Sequence, residues 1–289
     1  MKSTFSTFTL TLASALTLQA GSSDSGGDLF ASLSSHDREH SDDYLGFDIL
    51  RGWLDSPSAH DHSIDSATGR SRYIHPLTVE AAFNDGDFFV DYVFNSFDDE
   101  DEHEIEIELE LALTRRLGVV FEAAYEFENE GGSTEEGFAD IAVAARFVLV
   151  ETKNFITTAN LELELPTGEN DFSSNELVVE PGLLTWIDLG NGFTLNTAIG
   201  LEIGTESDEL EFNFDAALVK DFGGPIALSL EFRNEVGLRD EERGDITSEA
   251  TLGGIYRLND STSLRGGWSF PVSSSEFNGG AIASFNYSF

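Results

Sequence analysis

The sequence has no cysteine among its 289 residues and few basic side chains. The first absence excludes a disulfide framework, a thiolate metal site, a cysteine nucleophile and the lipid-bearing cysteine of a lipoprotein. The 15 Lys and Arg against 54 Asp and Glu give a formal net charge of −39. A chain so acidic repels phosphate backbones, so we do not expect nucleic-acid binding.

Long apolar runs are also missing. No segment has the roughly 18 consecutive apolar residues that a transmembrane helix needs. The N-terminus instead has the pattern of an export signal, with Lys2, an apolar and Ser/Thr-rich run over 5–18, and Ala20 before a Gly/Ser-rich stretch. We predict a signal peptide over residues 1–20, and any membrane crossing has to be made by strands.

Period-two alternation dominates the sequence from residue 88 onward, and it is clearest in 103–114. There Ile105, Ile107 and Leu109 alternate with glutamates, which is typical of a transmembrane barrel strand with an apolar side toward lipid and a polar side toward the lumen. Twelve segments have this length and spacing: 88–95, 103–114, 118–128, 139–150, 154–165, 176–187, 192–204, 209–219, 226–236, 246–257, 261–270 and 280–289.

The fold predicted from this pattern is all-β, a transmembrane antiparallel barrel of about 12 strands. Fourteen strands result if 76–83 and a weaker segment near 45–54 also pair. We predict three regions: a signal peptide over 1–20, a polar arm or partial plug rich in His, Asp and Ser over 21–75, and the barrel over 76–289. A soluble β-sandwich also alternates, but its water-facing side would mix Lys, Ser and Thr with the acids.

Aromatic residues cluster at predicted strand ends, as two interfacial girdles would require. Trp186, Phe193 and Tyr287 are placed among the outward aromatics of one girdle, although 176–187 is ambiguous because Val179, Leu183 and Ile187 could form its apolar face instead. The chain ends in an alternating aromatic strand with a terminal Phe289, similar to the C-terminal signal of outer-membrane proteins.

The inward parity of the predicted strands is dominated by carboxylates. Such a lining either concentrates cations in a low-dielectric channel or only keeps the lumen wet, and both interpretations stay open. The predicted pore-lining residues are Glu104, Glu106, Glu108, Glu110, Glu122, Glu126, Asp140, Arg146, Glu162, Glu164, Glu202, Glu211, Asp215, Glu231 and Arg233.

No specific metal, cofactor or catalytic site is predicted. His36 and His40, and the pair His60 and His62, have no third ligand at a defined spacing. The only histidine of the twelve strands is His103, interpreted as a polar residue at a loop edge rather than the base of a barrel hydrolase. Weak divalent-cation binding is expected at the outer-loop acids Asp98, Asp99, Glu100 and Asp101.

One stretch carries a family resemblance. A strand opens with Gly137-Phe138-Ala139-Asp140, the next ends in Leu165-Pro166-Thr167-Gly168, and the turn 113–118 is also similar. Together these motifs resemble the outer-membrane channels named for the MetA pathway of phenol degradation, over about residues 88–289. The resemblance implies a porin-like channel without catalytic residues.

The predicted function is therefore passive diffusion of small solutes across a bacterial outer membrane. Conductance in planar bilayers is the measurement that would test it best. The acidic lining favours cationic or neutral polar solutes, and the expected partners are outer-membrane lipid, such solutes and divalent cations at the outer loops. A structural or adhesive barrel with a plugged lumen is the first alternative, and a barrel enzyme is the second.

Overall fold

The computed structural model describes residues 73–289 except 99, 115, 170–171, 208–209, 240–243, 245 and 274–276. The predicted signal peptide, the arm up to residue 72 and the weak strand near 45–54 lie outside this part. The strands are β1 Asp87–Phe97, β2 Glu100–Ala112, β3 Leu117–Glu130, β4 Ser133–Phe138, β5 Ile141–Thr152, β6 Phe155–Leu165, β7 Val178–Gly190, β8 Phe193–Gly204, β9 Leu210–Asp221, β10 Ile226–Gly237, β11 Ile246–Asn259, β12 Thr262–Pro271 and β13 Phe277–Ser288. Within the described residues, no helix is long and apolar enough to cross a membrane.

Twelve of these strands form a closed antiparallel barrel. Each pairs with its neighbour along the chain, and β1 pairs with β13 from Asp87 opposite Ser288 to Phe97 opposite Phe277. Closure gives each of these twelve strands a neighbour on both sides, as a sheet in lipid requires. The predicted barrel of twelve strands is confirmed, and residues 76–83 do not form a further strand.

The thirteenth strand, β4, is an addition to the barrel. It pairs only with the second half of β3, from Tyr125 opposite Phe138 to Glu130 opposite Ser133, whereas β5 takes the first half. Gly131 and Gly132 join β3 to β4 with positive φ angles of 57° and 90°, the backbone conformation of a two-residue hairpin turn. The twelve segments predicted from sequence leave 129–138 as a connection, and the structure corrects this, because Ser133–Phe138 is a strand.

The two ends of the barrel differ. Short connections lie at one end, hereafter the turn end: 113–116, 153–154, 191–192, 222–225 and 260–261. The other end, hereafter the loop end, carries the longer connections 166–177, 205–209, 238–245 and 272–276. In outer-membrane barrels short turns face the periplasm and long loops face outward.

Burial is reversed relative to a soluble protein. Ile107 is 47% exposed and Leu252 is 57% exposed on the outward side, whereas Glu180 and Glu231 are fully buried on the inward side. Apolar side chains that would be unfavourable in water are favourable against lipid tails. The outward surface is therefore a membrane-facing surface, and the interior is polar.

Residues 73–84 lie inside the barrel, before β1 begins. We call them the plug segment. Val79, Ala81, Ala82 and Phe83 are buried with inward residues of the turn end. The alternation that made 76–83 resemble a strand instead gives this segment one side that packs on apolar side chains and one side that meets polar groups.

One sequence interpretation of β7 is wrong. Trp186 does not belong to an outward aromatic girdle, because it is fully buried in the interior with Leu184. Val179, Leu183 and Ile187 have the outward parity instead, and Pro181 between them is exposed. The second parity considered for this segment is therefore the observed one, and Trp186 is available to pack on the plug segment.

Candidate functional site

The candidate site is the lumen, whose wall is formed by inward side chains of all twelve barrel strands. Most of the predicted pore-lining residues have the inward parity. Those buried against the wall or plug are Glu110, Arg146, Glu162, Glu164, Asp215 and Glu231, and those that are half-buried include Glu104, Glu106, Glu108, Glu122, Glu126, Glu202, Glu211 and Arg233.

The acids are densest on β2 and β3. Glu104 lies directly opposite Glu126, and Glu108 lies opposite Glu122, while Glu106 separates the two pairs on β2. We call these five residues the acidic row. Like charges directly opposite each other on one face repel, so the acidic row needs a positive charge or protons to offset it.

Three of the inward bases form ion pairs with acids outside the acidic row. Arg146 forms ion pairs with both Glu80 and Glu110, Arg265 is 3.2 Å from Asp91, and Arg233 is 3.3 Å from Glu235. Among the described residues, no ion pair joins a base to the acidic row.

The plug segment is attached to the barrel wall by polar contacts at four successive places. The Pro76 carbonyl accepts a hydrogen bond of 2.7 Å from Arg265. The Leu77 and Thr78 N–H groups donate to the Glu231 carboxylate at 2.9 and 2.8 Å. Glu80 pairs with Arg146, and the Thr158 hydroxyl donates to the Ala82 carbonyl.

The same segment also makes apolar contacts at the turn end of the lumen. Phe83 stacks on Tyr73 with a centroid separation of 4.6 Å, and Tyr73 meets Trp186 edge-on at 5.2 Å. Ile74 packs with Val219, Ala227 and Ile255. The lumen therefore has an acidic wall and, at the turn end, an apolar layer that the plug segment completes.

The described part of the chain has cavities beside the plug segment. The first, of about 70 Å³, lies between residues 75–81 and the wall residues Glu106, Glu108, Glu122 and Glu162. The second, of about 60 Å³, lies between Leu77 and Thr78 and residues that include Arg233 and Glu249. Each is large enough for a few water molecules, so the described interior is narrowed around the plug segment and still lined by carboxylates.

Asp140 occupies a different place from the other predicted lining residues. It lies at the loop end between β4 and β5, where its carboxylate accepts hydrogen bonds from the Thr167 and Gly168 N–H groups at 2.8 and 2.6 Å. Ser173 and Ser174 donate to the same carboxylate. Burial alone would raise the pKa of Asp140, but these hydrogen bonds, with Gly168 first, hold it below its usual range. The Gly-x-x-Asp and Pro-Thr-Gly motifs are thus joined by one carboxylate, which also binds Ser173 and Ser174.

His103 faces away from the lumen, whereas Glu102 and Glu128 continue the inward side of β2 and β3 to the loop end. His103 shares the outward parity of Ile105 and accepts or donates a 2.8 Å hydrogen bond to the Tyr92 hydroxyl through Nδ1. Glu100, Glu102 and Glu128 bring carboxylate oxygens within 4.8 Å of one another at the loop end. Asp98 and Asp101 are exposed nearby, and Asp99 lies outside the described residues.

One cluster has no counterpart in the sequence prediction. His75 of the plug segment, Asp87 at the start of β1 and Glu110 near the end of β2 bring ligand-type atoms within 4.8 Å of one another. The three residues are far apart in sequence, and only their positions in the barrel, where Asp87 lies opposite Glu110, bring them together. Spacing rules for histidine motifs cannot detect such a group.

Comparison with known proteins identifies the family of this barrel. A family profile described as "Putative MetA-pathway of phenol degradation" matches residues 55–289. The chain belongs to this family. The resemblance carried by Asp140 and the Pro-Thr-Gly motif is thereby confirmed. No protein of curated function matches the chain.

Solved structures share the fold of this family member at low sequence identity. An outer membrane channel from Pseudomonas putida F1 superimposes with a TM-score of 0.60 at 13% identity, over 75% of this chain and 100% of that chain. The porin NanC gives a TM-score of 0.53 at 10% identity, over 70% and 98%. The translocator domain of the autotransporter NalP from Neisseria meningitidis gives 0.50 at 9% identity, over 72% and 90%. At these identities the likeness shows the fold, which is that of a bacterial outer-membrane barrel.

Proposed function

We propose that this protein is a porin-like channel of the bacterial outer membrane that passes small cationic or neutral polar solutes by passive diffusion. The observation that carries the proposal is the acidic row, a group of inward carboxylates to which no described base is ion-paired. Mobile cations are the partners that can offset such a row, and low-dielectric walls strengthen their attraction to it.

The plug segment sets the size of what can pass. The cavities beside it have room for water molecules and small ions rather than for bulky solutes. Glutamates line the first cavity. An apolar aromatic solute there would displace water from these carboxylates without forming hydrogen bonds with them, which is unfavourable. We therefore propose a polar cargo although the family carries the name of phenol degradation.

A structural barrel with a plugged lumen is the second candidate. The apolar layer formed by Phe83, Tyr73 and Trp186 favours it, because a closed turn end would stop diffusion altogether. Single-channel recording in planar bilayers separates the two functions. Discrete conductance steps with the full-length protein support the channel, whereas a silent bilayer containing folded protein supports the structural barrel.

Selectivity is tested by changing the acidic row. In a salt gradient, the reversal potential of the wild type is expected to have the sign of a cation-favouring pore. Changing Glu104, Glu106 and Glu108 together to Gln should move this potential toward zero, because three inward charges are lost while side-chain volume is kept. Added salt should reduce the difference, since the Debye length is about 8 Å at physiological ionic strength.

A matched control removes three charges outside the lumen. Glu135, Glu136 and Glu206 are exposed at the loop end, and their change to Gln should alter the reversal potential less than the change in the acidic row. Anion preference in the wild type, or equal effects of the two triple variants, would contradict a selectivity set by the lumen.

Loose binding of divalent cations at the loop end is part of the same proposal. Glu100, Glu102 and Glu128 supply only oxygen ligands, which Ca²⁺ prefers, and exposed Asp98 and Asp101 add charge near them. Millimolar Ca²⁺ should raise the thermal midpoint of the wild type. The rise should shrink when these three glutamates are changed to Gln, and identical midpoints with Ca²⁺ and with chelator would count against binding.

A further inference from the structure

Three buried groups from separate elements meet at the turn end. His75 belongs to the plug segment, Asp87 begins β1, and Glu110 lies across from Asp87 on β2. The His75 Nε2 atom is 3.3 Å from Asp87 Oδ2, and a Glu110 oxygen lies within 4.8 Å of both groups. An imidazole and two carboxylates are a donor set that borderline divalent metals favour.

Each donor is held in place by contacts on its other side. Asp87 Oδ1 accepts hydrogen bonds from Asn286 and Ser288, which leaves Oδ2 directed at His75. The imidazole of His75 packs edge-on against Phe83 and Phe89, with centroid separations of 4.6 and 5.0 Å. Outer contacts of this kind orient metal ligands and fix their geometry.

The cluster also has unused ligand atoms. Glu110 is 3% exposed, and among the described residues its Oε2 has no hydrogen-bond partner, although Oε1 pairs with Arg146. His75 Nε2 is likewise buried without a hydrogen bond of good geometry. Asp85 adds a third carboxylate that interacts electrostatically with His75, Asp87 and Glu110. Arg146 is shared between Glu110 and Glu80, so with one proton on His75 the group that includes Asp85 and Asp87 still carries net negative charge, which the two positive charges of a divalent ion would offset.

We propose that His75, Asp87 and Glu110 form a binding site for a divalent transition metal of the zinc type, which joins the plug segment to the barrel wall. Bonds of about 2.0–2.2 Å in a tetrahedral site place donor atoms roughly 3.4 Å apart. The separation of His75 and Asp87 already has this value, and a side-chain adjustment of Glu110 brings in the third donor. The imidazole nitrogen favours zinc over Ca²⁺ or Mg²⁺, which prefer oxygen alone.

The metal has a structural consequence for the plug segment. His75 is the only one of the three ligands that does not belong to the barrel wall, so coordination fixes the start of the plug segment to β1 and β2. Removing the ion releases that attachment while the contacts of Glu231, Arg146 and Thr158 with the rest of the segment persist.

Zinc binding to the full-length, detergent-solubilised protein tests the proposal. The background variant has His36, His40, His60, His62 and His103 changed to Gln, so that His75 is its only histidine. After chelator treatment, competition with a chromophoric zinc indicator in millimolar Mg²⁺ should give one tight Zn²⁺ per chain. Adding His75→Gln or Glu110→Gln should weaken this binding by more than about 100-fold, beyond the loss that changes to outer contacts cause.

Two controls keep the result specific. Glu102→Gln, in the acidic group at the loop end, should leave the tight site unchanged. Zn²⁺ should raise the thermal midpoint of the background variant, as a ligand bound only to the folded state does, and equal concentrations of Mg²⁺ should not. Heat-modifiable migration in gels checks that each variant contains a folded barrel.

Two outcomes overturn the site: no tight zinc in the background variant, which would make the cluster an ion pair of His75 and Asp87, or tight zinc that survives both substitutions. Neither readout involves conductance. A protein that binds zinc but never conducts would refute the proposed channel and keep the metal site. A cation-selective channel that does not bind zinc would refute the metal site and keep the proposed channel.

Discussion

Arg146 is a buried inward base that connects two separate elements. Its guanidinium is 2% exposed and joins Glu80 of the plug segment to Glu110 of β2. A buried base that bridges two acids is costly to remove, because both acids then remain buried without a partner. Its two partners also tie the acidic wall to the plug segment.

Replacing Arg146 by Gln should destabilise the barrel by about 3 kcal/mol or more. The measurement is the temperature at which heat-modifiable migration is lost. Changing Glu80 and Glu110 to Gln in the same chain should restore part of the lost stability, because no unpaired charge is then left. A single variant as stable as the wild type would show that water in the lumen solvates both acids.

Asp140 is likewise a charged side chain that holds several partners, here in the loop at the opposite end of the barrel. Asn at this position keeps the size of the side chain but loses the charge that strengthens the hydrogen bonds from Thr167, Gly168 and Ser174, each contributing about 1.5–3 kcal/mol. Proteolysis within 166–174 should become about tenfold faster or more in Asp140→Asn. Glu169→Gln in the same loop is the control, and equal cleavage of both variants would argue against the role of Asp140.

The pH dependence of this loop follows from the sign of the shift. The pKa of folded Asp140 lies below its ordinary value of 3.8, so its contribution to stability is complete above that value and disappears as the pH falls through the lower, folded pKa. An acid-active protease should therefore cut the wild-type loop slowly at pH near 5 and faster only in stronger acid. Fast cleavage already near neutral pH would contradict the assignment.

The strands of the barrel were predictable from sequence because lipid and lumen impose opposite chemistry on alternate residues. All twelve predicted segments correspond to barrel strands, with ends that move by a few residues. Trp186 was misplaced because alternation gives two possible faces, and only the plug segment explains why an inward position at the turn end is apolar. The plug segment itself alternates like a strand, so its place inside the barrel needed the three-dimensional structure.

The candidate site was predictable to a similar degree. Parity places Glu104, Glu106 and Glu108 inward without any knowledge of neighbours. Parity does not show that Glu110 pairs with Arg146, that Asp140 binds the loop of Thr167, or that His75 meets Asp87. These contacts depend on register between strands and on the course of the plug segment, which single-strand patterns do not encode.

Substitution of Glu231 tests whether the plug segment limits the flow of ions. Its carboxylate is fully buried and accepts hydrogen bonds from Leu77 and Thr78. Glu231→Ala should loosen the centre of the segment and increase single-channel conductance or the frequency of open events. Glu202→Ala, which removes an inward acid nearer the loop end, should change conductance less. Unchanged currents in Glu231→Ala would show that the segment does not limit flow.

Closure of the whole barrel depends on the pairing of β1 with β13. The Phe289 N–H donates to the Gly86 carbonyl at 2.8 Å, just beyond the last pair of that ladder. Deleting Phe289 removes this bond and an outward aromatic that is 65% exposed. The shortened chain should assemble less efficiently in the outer membrane, measured as a smaller heat-modifiable fraction, and extraction as a soluble monomer without detergent would contradict the membrane assignment.

The order of contacts along residues 73–84 has a mechanical consequence. Pro76, Thr78, Glu80 and Ala82 hold the wall one after another, and the chain then enters β1 at Asp87. A pull on the Tyr73 end from the turn side would therefore load these attachments one by one, as in peeling, with the junction to β1 as the hinge. A push from the loop side would load all of them together, as in shear. The plug segment would thus yield more easily to tension applied from the turn end than to pressure applied from the loop end.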